Sequence, residues 1–110
     1  MQAPSLTKKQ KGELRRLAGV AHERELSAAI GELEAEFKNW RNGQIDVFEL
    51  NECIHKFHHG VSRELYKLHD PSSAEMVVPF AIARGTIREE EVEPALLQNL
   101  SDLIQSAKRG

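Results

Sequence analysis

Apolar residues in the middle of the chain recur at helical spacing. Leu26, Ile30, Leu33, Phe37 and Trp40 lie four, three, four and three positions apart, the pattern of a helix packed lengthwise on another helix. Asn42-Gly43 follows with the chemistry of a left-handed helix stop. Asp46 with Glu49 three residues later forms a capping box that restarts a helix. The second stripe is Val47, Leu50, Ile54, Phe57, Val61, Leu65 and Leu68. It passes Gly60 without changing phase, which predicts one helix to His69, about 35 Å long at 1.5 Å per residue. Asp70-Pro71 ends it, because a residue before proline disfavours helical geometry. The short connection makes the two helices antiparallel neighbours, an αα-hairpin over residues 22–69.

The flanks are also helical in pattern. Residues 1–6 are expected to be loose. Thr7 and Gln10 have capping-box spacing, and Leu14, Leu17 and Ala21 share a face. Gly19 and Glu23 then occupy positions the stripe wants apolar, which predicts a bend near Gly19. After the hairpin comes a helix from Ala74 to Arg84 with Pro79 inside it, stopped by Gly85. Residues 86–93 are acidic, with room for one turn. Pro94 suits the first position of a last helix whose apolar face is Leu96, Leu97, Leu100, Leu103 and Ile104. No stretch alternates with period two. The expected fold is therefore all-α: a single bundle-like domain over 1–110, with a core αα-hairpin at 22–69 and two shorter C-terminal helices over 74–110.

The outward faces of the hairpin carry more information than a solvated surface would. On its first helix Ala21, Ala28, Gly31 and Ala35 line up, and a glycine inside a helix costs about 1 kcal/mol relative to alanine. On its second helix Phe48, Glu52, His55, His59, Ser62, Tyr66 and His69 line up. Small residues on one side and aromatic ones on the other predict that both faces are covered, one by the C-terminal helices and one by a second copy of the chain.

Composition narrows the classes. The chain has 110 residues, which suits one domain, and a net charge of only −2, which argues against wholesale binding to nucleic acid or an anionic membrane. Its single cysteine, Cys53, permits no internal disulfide and suits a reducing compartment. No apolar run approaches the ~20 residues of a membrane span, and residues 1–11 lack the apolar centre of a signal peptide. A cytoplasmic location is the expectation.

Four kinds of chemistry can be weighed against plain structural roles. His55 and His59 project from one helical face with Glu52 one turn earlier, a set that could hold a divalent metal; His58 is expected to point elsewhere. Neither a His-Glu-x-x-His motif nor a Glu-x-x-His partner on a second helix supports that set, so interfacial histidines are the competing reading. Asn42, Gly43, Ile45 and Glu49 match positions five, six, eight and twelve of an EF-hand loop, but Lys38 and Trp40 stand at positions one and three and cannot bind Ca²⁺. That match reflects turn and cap chemistry. Cys53 borders the seam as a small packing residue, and two positions separate it from His55, too few to share a helical face. No Gly-rich phosphate loop or nucleophile elbow is present.

The fourth kind is RNA binding. Lys8, Lys9, Lys11, Arg15 and Arg16 against Glu13 make residues 1–18 net +4 and leave −6 for the rest. The stretch LTKKQKGELRRLA resembles the opening helix of the chloroplast RNA splicing and ribosome maturation domain. The strands and Gly-rich loop of that domain have no counterpart, so a solvated basic face is the simpler reading.

Over a longer stretch, Trp40, Gly43, Ile45, Glu49, Leu50, Ile54, His55, Phe57, His58 and Gly60 resemble the signature of a family of small, uncharacterised bacterial all-helical proteins, with Ala81-Ile-Ala-Arg-Gly85 downstream. The resemblance implies an all-helical bacterial protein and brings no activity or cofactor. The sequence thus points to a non-enzymatic module for protein–protein association, acting as a homo-oligomer or with a protein partner through Phe48, Glu52, His55, His59 and Tyr66. The alternatives are a metal or small-ligand site using Glu52, His55 and His59, and RNA binding through the basic N-terminal helix.

Overall fold

The computed structural model describes residues 6–109, and among these the regular structure is entirely helical. The expected loose N-terminus lies outside the described residues up to position 5. Helix α1 spans Lys8–Arg41. It starts at the expected capping box: Gln10 N–H donates to Thr7 Oγ1 and Thr7 N–H to Gln10 Oε1, each at 3.0 Å. The second arm of the hairpin comprises α2, Val47–Lys56, a π-helical segment, Phe57–Ser62, and α3, Arg63–Leu68. A 3₁₀ turn, Pro71–Ser73, leads into α4, Ala74–Ala83. A second 3₁₀ turn, Glu89–Glu91, precedes α5, Pro94–Asn99, and α6, Ser101–Arg109.

The chain divides into two compact units. One contains the chain up to His22 together with His69 onward; the other is the hairpin, Glu23–Leu68. The first unit holds the hydrophobic core. Leu14, Leu17, Ala18 and Ala21 of α1 are buried with Val77, Val78, Ala81 and Ile82 of α4, and with Ile87, Val92, Leu96, Leu100 and Ile104. Gly85 ends α4 at φ +82°, with Gly85 N–H donating to the Ile82 carbonyl and Thr86 N–H to that of Ala81, both at 3.0 Å. That is the paired closure of a glycine-terminated helix. The acidic segment is surface: Glu89 and Glu90 are exposed, and Arg88 N–H donates to Glu91 Oε2 at 2.9 Å.

Three expectations need correcting. Helix α1 runs through Gly19 without a break. Gly19 is exposed with nothing within 4 Å of where a Cβ would be. The stripe changes phase there because α1 passes from one unit to the other. The last helix is two helices separated at Leu100, flanked by Asn99 and Ser101, side chains that compete with helical backbone bonds. The hairpin, expected to be the core, supplies none of the main buried cluster.

No helix among the described residues is long and apolar enough to cross a membrane.

Candidate functional site

The turn of the hairpin is built by local rules. Gly43 takes φ +76°, Gly43 N–H donates to the Trp40 carbonyl at 3.1 Å, and Gln44 N–H donates to that of Asn39 at 2.8 Å. These are the two bonds of a Schellman stop. Asp46 Oδ1 then accepts from Glu49 N–H at 2.7 Å while Glu49 Oε1 accepts from Asp46 N–H at 3.1 Å. Glu49, the residue an EF-hand would use as its last ligand, is engaged in starting α2.

The seam forms only in part: Ile30, Trp40, Val47 and Ile54, expected within it, are exposed, and the pattern departs further beyond Phe57. Leu33, Phe37, Leu50 and Phe57 are buried or half-buried. The π-helical segment then takes up one residue more than an α-helix would, which rotates everything after it by about 100°. Ser62 and Leu65 become the inward residues, while Val61 and Leu68 turn out to solvent. His69 belongs to the other unit; it is only 2% exposed, its ring stacked on His22 with centroids 5.2 Å apart and planes 3° from parallel. His69 is therefore not part of an outer face.

The same rotation disperses the residues singled out from the sequence. Phe48 is 80% exposed, and Glu52, His55 and His59 are exposed with it. Tyr66, also exposed, is turned away from that face by the extra residue. His55 and His59 do come together, ring centroids 4.4 Å apart and tilted by 50°. His58, expected to point elsewhere, meets His59 edge-on at 5.0 Å, because the wider π turn narrows the angle between neighbouring side chains. Among the described residues no three His, Cys, Asp or Glu side chains are grouped to hold a metal ion. The histidine pair thus lacks Glu52 as a third ligand.

A simple geometric rule sorts the hairpin's two sides. In two antiparallel helices, the residue that follows an inward-facing one turns to the same side of the pair on both helices, and the residue that precedes one turns to the other side. Of the preceding residues, Glu32, Glu36 and Lys56 join Ala29, Leu33, Cys53, Phe57 and Val61 in lining a largely apolar cleft of about 320 Å³. Its rim is tied together by the Cys53 thiol, which donates to Glu36 Oε2 at 3.5 Å. Burial, and then the Glu36 carboxylate, push the Cys53 thiol up from its ordinary value, so Cys53 is a poor nucleophile. The residues that follow seam positions are polar and exposed, Ser27, Glu34 and Lys38 on α1 and Asn51 and His58 on the second arm, with Tyr66 after Leu65 as the exception. Ile30 is 49% exposed, and Val47, Ile54 and Tyr66 are exposed as well.

Neither side was singled out from the sequence. Ile30 and Ile54 fit the seam spacing in the sequence and are nevertheless exposed. The cleft had no signal, since its opening depends on the π-helical rotation of Val61. No family model, curated protein or solved structure matches this chain.

Proposed function

We propose that this chain is a non-enzymatic association module whose hairpin packs against helices of another protein chain. One observation carries the reading. Among the described residues, Leu50 alone of the fifteen buried apolar ones belongs to the hairpin. The hairpin meanwhile leaves Ile30, Trp40, Phe48, Ile54, Val61 and Tyr66 exposed. Two helices bury only one stripe between them, and hairpins of this kind reach stability by adding further helices. Exposed large apolar side chains in this number on one pair of helices support an interaction surface.

The test is a photoreactive side chain placed at Ile54 in the full-length protein, irradiated in its native cells. The expected result is a covalent adduct to a protein chain, lost when Ile30→Ser is added while far-UV circular dichroism still reports an all-helical fold. Irradiation that yields no protein adduct rules the reading out. A second reading, a divalent ion held by His55 and His59, has the 4.4 Å ring separation in its favour. Metal analysis of protein purified without chelator decides it, and a result with no bound metal removes it.

A further inference from the structure

We propose that the cleft on the hairpin binds a small organic cation, a protonated amine carried on an apolar body. This goes beyond the association reading and does not rest on it, since the cleft can take a small molecule whether or not another protein packs on the hairpin.

The cleft lies within one unit, between α1 and the second arm. Its walls are mostly carbon, from Leu33 on α1 and from Phe57 and Val61 on the other arm. At about 320 Å³ it stands at the small end of the roughly 300–1,000 Å³ range of ligand pockets, and an apolar lining with a few placed polar groups is their usual composition. The π-helical segment frames it. Phe57 opens that segment and Val61 lies near its end, and an α-helical turn would swing Val61 into the seam. Val61 instead stands on the cleft, 48% exposed. A valine left half in water does nothing for folding, and π-helical turns occur frequently at functional sites. An apolar body laid on Phe57 and Val61 takes that surface out of water.

Charge selects the head group. The charged residues lining the cleft are Glu32 and Glu36 on α1 and Lys56 on α2. Glu32 and Glu36 are one turn apart and project from the same wall. Cys53 keeps its proton, because burial and the Glu36 carboxylate push its thiol up. The lining therefore sums to −1 at neutral pH. Lys56 does not cancel the carboxylates in place: among the described residues no ion pair joins it to Glu32 or Glu36. Glu36 has capacity to spare. Its Oε1 accepts from Asn39 Nδ2 at 3.3 Å and its Oε2 from the Cys53 thiol at 3.5 Å. Both donors are neutral, and a carboxylate offers about four acceptor sites. Glu36 is also half-buried, where charge is screened less than on an open surface. An ammonium placed between Glu32 and Glu36, with its apolar body along Leu33, Phe57 and Val61, satisfies wall and lining together. An anion would have Lys56 in its favour and both carboxylates against it.

The test is titration of isotope-labelled full-length protein with phenethylamine, phenethyl alcohol and hydrocinnamate, a cation, a neutral molecule and an anion of similar shape, read by amide chemical shifts. Phenethylamine should give saturable shifts at Leu33, Glu36, Cys53 and Val61, with a Kd at or below about 1 mM. The alcohol should bind at least about fivefold more weakly, and hydrocinnamate more weakly still. Glu32→Gln with Glu36→Gln should bring amine and alcohol to within about twofold of each other, whereas Lys56→Gln should strengthen amine binding about twofold. Far-UV circular dichroism checks the fold; if the double substitution loses helix content, Glu32→Gln alone, at an exposed position, should still weaken the amine at least about twofold. Absence of saturable shifts with all three compounds overturns the site, as do shifts that fall outside the cleft. An alcohol that binds as tightly as the amine, or a carboxylate that binds more tightly, overturns the cation as its ligand. The Ile54 photoadduct reports separately on association, so either reading can fail without the other.

Discussion

Two glycines show how much the backbone alone decides. Gly43 stops α1 at φ +76°, a region that side chains with a Cβ enter only under strain. Gly43→Ala should therefore destabilise the chain by about 1 kcal/mol or more, read as a lower urea midpoint. Gly19 lies in the interior of α1, exposed and with open space around it. Gly19→Ala should stabilise by about 0.5–1 kcal/mol in the same titration, because alanine gives up less backbone freedom on entering a helix. If both substitutions destabilise, Gly19 has a packing role that its open surroundings do not reveal. Several caps and stops with local chemistry were legible in the sequence: Thr7 with Gln10, Asn42-Gly43, Asp46 with Glu49, and Gly85. Each is set by neighbours within six residues and needs no knowledge of the fold. The histidines were legible only as a pair. That His55 and His59 would meet follows from spacing, whereas the contact of His58 with His59 depends on a turn that is not α-helical.

Among the elements, the segment Phe57–Ser62 matters most, because it decides which residues of the second arm face in. An unbroken α-helix would turn Val61 and Leu68 inward; with the π-helical turn Ser62 is half-buried instead and both are exposed. The apolar stripe persisted through Gly60 in the sequence, and hydrophobicity alone favours the α phase. What reverses it lies beyond the segment, where His69 is drawn into the other unit beside His22. Periodicity within one helix has no access to that constraint. A π turn accommodates one residue beyond the α repeat, so removing one residue there should convert it to α-helix and leave α3 in its present orientation. Deletion of Gly60 is accordingly expected to keep helix content and cost no more than a few degrees in Tm. Deletion of Asn51, inside α2, has no such slack and rotates the rest of the arm by about 100°. It should lower Tm far more in the same thermal scan. Equal losses from the two deletions would mean that the π turn is held by side chains within it and is not simply absorbed length.

At the scale of the whole molecule, the main buried cluster lies in one unit and the hairpin is the other. Among the described residues, fourteen of the fifteen buried apolar ones lie outside the hairpin, so the two units should differ in how readily they open. Local stability follows buried apolar contact, and amide exchange measures it region by region. In dilute protein, amides of α4, and those around Leu14 and Leu17 in α1, should exchange slowly, with opening free energies close to that of global unfolding. Those of α2 and α3 should exchange orders of magnitude faster. Leu96→Ala, at a fully buried position of α5, should cost about 2–5 kcal/mol and speed exchange throughout its unit. Ile54→Ala, at an exposed one, should stay below about 1 kcal/mol in dilute protein. Concentration is the discriminating variable. A partner that binds only the folded hairpin stabilises it by mass action. If the partner is a second copy, raising the protein concentration should slow exchange in α2 and α3 and leave α4 unchanged, and Ile54→Ala should abolish that response while sparing the dilute-limit rates. Exchange in the hairpin that is slow at all concentrations would mean that its seam suffices by itself, and the exposed apolar side chains would then need no partner to explain its stability.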